Sequence, residues 1–318
     1  MSESEFDKTW RPSANVGRLL VLAATLLWSL NGFFGQSPVF ADWPAENRGI
    51  LLSFWRSLFA AVMLWPFVRQ PRWTPRLLPM MGCFVLMGVT LLSAMSFTSA
   101  ASAIWLHYTS PLWVFLGGVC LLRERATWRD ACMLVSVAAG IVFILSYAGS
   151  QDWRGLTLGL ASGVAFAGVV LSLRLLRGQN SAWLIALNTT ASAVLLFPYV
   201  VWHGIWPDLS QLGVLCAFGM LQIGLPYLLF TLGLRGVTSH EASAITLLEP
   251  LLVPCWVWLA WRHAPSYEPT HWSTFVGGAF ILSGLAMRFL SPQVICRVFR
   301  RRTTELIAQH PAEPNHHA

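Results

Sequence analysis

Charged residues are scarce in this chain: Asp, Glu, Lys and Arg make up 11% of its 318 residues, whereas hydrophobic residues make up 55%. Soluble domains carry roughly 25% charged residues, so this shortage excludes an ordinary soluble enzyme or binding domain. The mean hydropathy of +0.57 agrees with that exclusion. The connections between apolar stretches are short, which leaves the chemistry to side chains within or at the edge of a membrane.

The chain also lacks the motifs of common catalytic and metal sites. Its six cysteines form no CxxC pair and are interpreted as small core residues. His240 and Glu241 begin an apparent HExxH motif, but position 244 is Ala, so no zinc protease site is expected. No nucleotide-binding P-loop occurs. We therefore expect no catalytic residue, no metal site and no cofactor.

Long apolar runs are what the sequence does have. A helix needs about 20 apolar residues to cross the hydrocarbon core of a bilayer. Ten runs of suitable length predict transmembrane helices over residues 17–36, 49–68, 77–97, 101–122, 130–148, 155–176, 182–202, 211–234, 240–261 and 273–290. The first run is longer than the apolar region of a signal peptide and no small-residue cleavage site follows it, so we expect an uncleaved first helix.

The basic residues follow this topology. If the N-terminus is cytoplasmic, all of the 21 Lys and Arg residues except Arg48, Arg56, Arg154 and Arg262 fall on the cytoplasmic side. Such a bias is the signature of the positive-inside rule and predicts that both termini are cytoplasmic. The net charge of +7 is thereby explained without a nucleic-acid partner.

The second group of five runs repeats the first. The segment 54–68 aligns with 186–200, with Pro66 opposite Pro198 and Arg56 opposite Asn188, and Pro111 then falls opposite Pro250. Because each half has five spans, an odd number, the two matching halves must have opposite orientations in the membrane, as in many secondary transporters. The expected organisation is a tail at 1–16, repeats at 17–148 and 155–290, and a basic tail at 291–318.

Several short strings in these spans carry a family resemblance. They are Leu27-Trp28-Ser29, Arg56, Ala103 with Pro111, the run 123–127 with its acid Glu124, and Leu247-Leu248-Glu249-Pro250. With the ten spans and the repeat, they make the chain resemble the drug/metabolite transporter superfamily, specifically its EamA-type ten-helix members. The second copy of the acidic turn, Arg262-His263-Ala264-Pro265, lacks the acid. The resemblance implies a transporter of small metabolites, and export of amino acids or related compounds.

Arg56 is the most informative single residue, because it lies roughly 10 Å below the outer surface if each helical residue rises about 1.5 Å. One interpretation is that it faces a water-filled cavity and binds an anionic group such as a carboxylate in a bidentate fork. The other is that it extends to the outer interface or pairs with a helix carbonyl. Intramembrane ionisable residues usually mark a transport pathway, which favours the first.

Glu249 lies near the predicted midplane of span nine and is followed by Pro250. Proline removes a backbone donor and disfavours helix at the preceding residue, so this step is predicted to loosen the helix and free a carbonyl near Thr246. An acid beside a helix break is a candidate proton carrier. The alternative is that a neutral Glu249 ties the broken helix together. Pro111 and Pro254 are predicted to add further breaks or kinks.

Polar residues in matching spans form a second tier of candidates for substrate binding. Each of them alone is more typical of an interhelical hydrogen bond than of a ligand contact, and their convergence is what suggests a site. His107, for example, is more often a packing residue than a titrating one. The set comprises Trp28, Asn31, His107, Tyr108, Asn188, Gln222, Tyr227 and Thr246.

The sequence predicts a multi-pass protein of the cell membrane whose partners are a small-molecule substrate and the lipid bilayer. The leading hypothesis is a secondary transporter, an exporter of a small polar metabolite working by alternating access, with protons as a candidate coupling ion. A passive facilitator of the same solutes and a membrane-embedded lipid-modifying enzyme are the alternatives. A monomer and a homodimer both stay open.

Overall fold

The computed structural model describes residues 12–68, 71–122, 127–147, 153–176, 179–265, 267 and 269–289, and this part of the chain consists of helices and turns without a strand. The predicted tail at 291–318 and the acid Glu124 lie outside the described residues. Of the predicted N-terminal tail only residues 12–16 are described, and helix already begins there, at Ala14.

The helices are numbered α1 to α14 along the chain. In the first half they are α1 Ala14–Trp28, α2 Asn31–Gly35, α3 Ala45–Leu64, α4 Leu77–Phe97, α5 Ala100–His107, α6 Ser110–Leu122 and α7 Trp128–Ser146. In the second half they are α8 Trp153–Leu175, α9 Ser181–His203, α10 Leu209–Gly219, α11 Leu225–Gly233, α12 Ser239–Thr246, α13 Glu249–Trp261 and α14 Trp272–Phe289. A π-helical turn, Met220–Gly224, joins α10 to α11.

Eight helical stretches of the described chain are long and apolar enough to cross a membrane. Helix occupies most of each of the ten ranges that the sequence predicts. However, Trp272–Met287 is shorter than the eight, and the expected span at 101–122 is divided between α5 and α6. The all-helical prediction is confirmed, whereas the number of ten spans stays a prediction.

Four of the predicted continuous spans are interrupted near their middle, and proline accounts for three of the interruptions. Pro111, Pro226 and Pro250 have no N–H to offer the carbonyl four residues earlier. The helix stops just before Pro111 and Pro250, at the turns 108–109 and 247–248, and widens into the π turn before Pro226. The fourth interruption separates α1 from α2 at Ser29, whose hydroxyl bonds the carbonyl of Leu26 instead of the helix continuing.

Pro254 does not break its helix, contrary to the sequence prediction. Helix α13 runs from Glu249 to Trp261 with Pro254 inside it. Because Pro254 lies in the second turn of α13, the carbonyl that it leaves without a donor is that of Pro250, close to the helix start. The break therefore occurs once, before Glu249, and is not repeated at Pro254.

The helices pack in pairs that join the two halves of the chain. Helix α3 packs along α9, α4 along α8, and α1 along α11, while α7 pairs with α14. Glycine permits the closest approaches: a Cβ at Gly140 of α7 would lie 2.5 Å from the carbonyl oxygen of Gly277 in α14. At the ends of α1 and α12, Arg18 and Glu241 form an ion pair at 2.8 Å. Of these four pairs, only α1 with α11 joins two interrupted spans.

Candidate functional site

Arg56 lies on α3 and is buried, with 3% of its surface exposed. Its Nη1 donates hydrogen bonds to Oδ1 of Asn31 at 3.4 Å and to Oε1 of Gln222 at 3.3 Å. The guanidinium carbon also lies 5.2 Å from the ring centre of Phe218, a cation–π distance. This burial rules out the interpretation that Arg56 extends to the outer interface.

The two acceptors of Arg56 come from helix interruptions on opposite halves of the chain. Asn31 is the first residue of α2, just after the break in the first span, and Gln222 lies in the π turn. The side-chain amide of Gln222 also contacts the carbonyl of Trp28 at 3.4 Å. The irregular backbone therefore places polar groups of both halves around one guanidinium.

The charge of Arg56 has no acidic partner in the part of the chain that the structure describes. The ion pairs there are Arg18 with Glu241 and Arg154 with Glu46. Two neutral amides and an aromatic ring surround Arg56, and its Nε has no hydrogen-bond partner among the described residues. A buried cation without a counter-ion is costly, so this arrangement suits an anion that arrives from outside the protein.

Glu249 is held by Tyr108 across two facing helix breaks. The Tyr108 hydroxyl, in the turn between α5 and α6, donates to Oε2 of Glu249 at 2.8 Å and lies 3.3 Å from the carbonyl oxygen of Thr246. That carbonyl is the one that Pro250 leaves without a donor. Glu249 begins α13, whose positive N-terminal end faces the same region. The sequence prediction of a freed carbonyl near Thr246 is confirmed.

Helix packing brings the Arg56 group and the Glu249 group close to each other. Helix α13, which begins at Glu249, packs against α2, which begins at Asn31, an acceptor of Arg56. Tyr227 of α11 lies beside Trp28, whose carbonyl the Gln222 amide contacts. The ring of Tyr227 contacts Trp28 edge-on, with ring centres 5.2 Å apart. The candidates that these contacts bring near one another between the two halves form a group that we call the central chamber: Trp28, Asn31, Arg56, Gln222, Tyr227, Tyr108, Thr246 and Glu249.

Two candidates stand apart from these contacts. The His107 ring faces α8, where Nδ1 lies 3.1 Å from Oγ of Ser162 and the ring stacks on Phe166. This is the packing role that a lone histidine usually has. Asn188 is fully buried in α9, and neither atom of its amide has a hydrogen-bond partner in the described chain. No described contact joins Asn188 to Arg56 or Glu249.

Some groups near the chamber carry no signal in the sequence. Phe218 lies against Arg56, but nothing in its local sequence distinguishes it from neighbouring core residues. A cavity of about 80 Å³ elsewhere, lined by hydroxyl-bearing residues that include Ser102 and Thr274, was also not predicted. It lies at the starts of α5 and α14, where the two hydroxyls are 3.0 Å apart.

Comparison with known proteins gives consistent results. The EamA-like transporter family matches the chain twice, over residues 15–146 and 153–290. An uncharacterized transporter of Archaeoglobus fulgidus is 25% identical over 273 residues, which cover 84% of this chain and 93% of that protein. The pseudopaline exporter CntI of Pseudomonas aeruginosa is 26% identical over 284 residues, with the same coverage of both chains.

A solved crystal structure resembles the fold. It has a TM-score of 0.58 and 19% sequence identity, and the match covers 86% of this chain and 97% of the other. At this identity the likeness concerns the fold alone.

Proposed function

The chain belongs to the EamA-like transporter family, and from this premise we propose that it is a secondary transporter that exports a small polar metabolite with an anionic group, such as an amino acid or a related compound. The relatives are transporters, and one of them is named an exporter, which supports the direction. The proposal extends to alternating access between the two halves of the chain.

The observation that carries this proposal is the buried, unpaired charge of Arg56. Its two acceptors, Asn31 and Gln222, belong to opposite halves, so the guanidinium lies where a rocking motion would separate the halves. Substrate sites of secondary transporters are typically built at such a repeat interface from interrupted helices. The breaks beside Asn31, Gln222 and Glu249 fit that description.

We propose that the chain has ten spans arranged as two inverted repeats with both termini cytoplasmic. The double match to the family supports the repeat. The packing supports it as well. In two matching halves, spans one and three correspond to spans six and eight. Helix α4 packs with α8, which joins span three to span six, and α1 packs with α11, which joins span one to span eight, the equivalent pair. The distribution of basic residues supports the orientation.

Within this proposal Arg56 binds the anionic group of the solute and Glu249 carries the coupling proton. Tyr108 positions the Glu249 carboxyl through its 2.8 Å hydrogen bond. Trp28, Asn31, Gln222, Tyr227 and Thr246 complete the chamber, and Pro111 and Pro250 provide the breaks that open it. His107 and Asn188 are assigned a lesser part, since neither contacts the Arg56 or Glu249 groups directly.

The test is solute flux in proteoliposomes under an imposed pH gradient. Labelled amino acids, nucleobases and sugar phosphates are offered to the wild type, to Arg56→Ala and to Arg154→Ala as the matched control. Arg154 is exposed and its pairing with Glu46 at 3.8 Å is a surface contact of little energetic weight. We expect saturable flux that is lost in Arg56→Ala and unchanged in Arg154→Ala.

Other outcomes lead to other functions. If the solute only reaches equal concentrations on both sides of the membrane under the pH gradient, the protein is a passive facilitator. Turnover of bilayer lipid by the purified protein, with no flux of any solute, supports an enzyme instead. Flux that persists unchanged in Arg56→Ala contradicts the assignment of the binding site.

A further inference from the structure

Two tryptophan side chains tie α13 to the first span at its break. The indole Nε1 of Trp256 donates to Oγ of Ser29 at 2.8 Å, and that of Trp261 donates to the carbonyl oxygen of Phe33 at 2.9 Å. The rings of Trp261 and Phe33 are also stacked, with their centres 5.0 Å apart. Because an indole has a single N–H donor, each of these bonds uses the whole hydrogen-bonding capacity of its tryptophan.

The helices α2 and α13 are in close contact between these bonds. Gly32, which lies between Ser29 and Phe33, permits the approach, because a Cβ there would lie 2.7 Å from Cγ1 of Val253 and 3.0 Å from Cγ2 of Val257. Both valines are buried. Side chains packed at the density of a protein interior do not slide past each other freely. Two hydrogen bonds and this contact therefore join the two helices into one body, which we call the α2–α13 unit.

The α2–α13 unit carries one residue from each of the two polar groups of the chamber. Asn31, the first residue of α2, accepts the 3.4 Å bond from Arg56. Glu249, the first residue of α13, accepts the 2.8 Å bond from Tyr108. Trp256 follows Glu249 by about two helical turns, or about 10 Å along the helix axis. The unit is thus a direct physical link between the acid and the cation of the chamber.

The Ser29 hydroxyl extends this link to the interrupted backbone. In a continuous helix the carbonyl of Leu26 would accept the N–H of Leu30, but that N–H donates to the carbonyl of Leu27 instead. The Ser29 hydroxyl donates to the freed carbonyl of Leu26 at 2.7 Å while it accepts from Trp256. A hydroxyl has only one proton to donate, so these two bonds together fix its orientation. The bond from Trp256 therefore supports the break of the first span itself.

We propose that Trp256 is a positioning residue that couples the protonation of Glu249 to the binding of solute at Arg56. This inference rests on the proposed function, which assigns the proton to Glu249 and the solute to Arg56. Tight coupling requires both groups to change conformation together, because solute that moves without its proton leaks down its own gradient. The bond from Trp256 to Ser29 keeps α2 and α13 together during that change. Packing and hydrogen bonds between rigid elements are the means by which distant sites are coupled.

The test measures the accumulation ratio of labelled amino acids, nucleobases or sugar phosphates in proteoliposomes under a gradient of one pH unit. Trp256→Phe keeps an aromatic ring but removes the N–H. We expect the ratio to fall at least about twofold below that of the wild type, as for the loss of one neutral hydrogen bond. The matched control is Trp258→Phe on the same helix, which is expected to keep the wild-type ratio. Trp258 is 51% exposed, and its ring centre lies 4.5 Å from the guanidinium carbon of Arg262.

The accumulation ratio separates positioning from folding. A variant that only folds less well leaves fewer active molecules, which slows accumulation but does not change the ratio that is finally reached. A double-mutant cycle with Ser29→Ala gives a second criterion. Because both substitutions remove the same bond, the double variant is expected to be no worse than the worse single variant. Trp261→Phe removes the other bond to the first span and serves in case Trp256→Phe does not fold.

Wild-type ratios in Trp256→Phe and Trp261→Phe overturn the inference and leave the transporter intact. An equal fall in Trp256→Phe and Trp258→Phe does the same, as does an additive cycle with Ser29→Ala. A wild type that only equilibrates the solute, with flux that depends on Arg56, also rejects the coupling and keeps the transporter. Flux that does not depend on Arg56, or no flux at all, contradicts the proposed function and this inference with it.

Discussion

Replacing Glu249 by Gln tests proton coupling directly. Glutamine keeps the shape of the side chain and an oxygen that can accept the hydrogen bond from Tyr108, but it cannot release or bind a proton at neutral pH. The other described carboxylates, Asp42, Glu46, Asp130, Asp208 and Glu241, lie in loops or at helix starts rather than in the central chamber. Glu249 is thus the candidate for the coupling proton in the described chain.

The size of the effect follows from one carboxyl group carrying one proton per solute. A gradient of one pH unit then supplies about 1.36 kcal/mol, which supports roughly tenfold accumulation of solute. With Glu249→Gln we expect accumulation to fall to equilibration, while exchange of labelled for unlabelled solute continues. Tyr108→Phe is the matched comparison, since it removes the 2.8 Å hydrogen bond but keeps the carboxyl.

The assay is solute accumulation in proteoliposomes as a function of the imposed pH difference. Tyr108→Phe is expected to transport more slowly and to reach the same accumulation ratio as the wild type, because thermodynamic coupling needs the proton and not the hydrogen bond. If Glu249→Gln accumulates solute as the wild type does, with an unchanged dependence on the gradient, Glu249 does not carry the proton.

Two further predictions concern stability. Gly49→Ala is expected to destabilise the fold by about 1–3 kcal/mol or more, because its Cβ would lie 2.3 Å from the backbone of Ser93, whereas Gly82→Ala should be neutral in the same thermal unfolding measurement. Arg18→Ala is expected to lower the free energy of unfolding by no more than about 1 kcal/mol, because the side chains of the Arg18–Glu241 ion pair are 42% and 31% exposed. A much larger loss would show that this pair is a main link between α1 and α12.

Prolines let the sequence predict part of the fold's irregularity. Because Pro111 and Pro250 have no N–H, the carbonyl four residues before each of them loses its helical hydrogen bond. Both helices end at that residue, at His107 and at Thr246. Pro226 carried the same signal, and the π turn at Gln222 could have been predicted from it. The break at Ser29 has no proline: its hydroxyl bonds the carbonyl of Leu26 and also accepts a 2.8 Å bond from Trp256, a residue far away in the sequence. Local sequence does not contain that information.

The central chamber was predictable as a list of residues but not as an arrangement. The depth of Arg56 and Glu249 in apolar runs predicted that each would need a special environment. Which residues supply it depends on how helices far apart in sequence meet: the bond from Arg56 to Gln222 spans 166 positions and that from Tyr108 to Glu249 spans 141. Asn188 aligns with Arg56 in the repeat, yet it makes no described contact with the chamber, because matching positions in two repeats need not have matching partners.

The partners of Arg56 indicate why a transporter would keep its binding charge among neutral groups. A carboxylate in the place of Asn31 or Gln222 would neutralise the guanidinium permanently, and a solute would then have to break a strong ion pair in order to bind. Two amide bonds of 3.3 and 3.4 Å orient the guanidinium without satisfying its charge. The acid of the chamber, Glu249, is meanwhile bonded to Tyr108 and not to Arg56. Under the proposed mechanism, the solute binds Arg56 and the proton binds Glu249. Because these two side chains do not pair with each other, Glu249 does not replace the solute on Arg56 when the solute leaves.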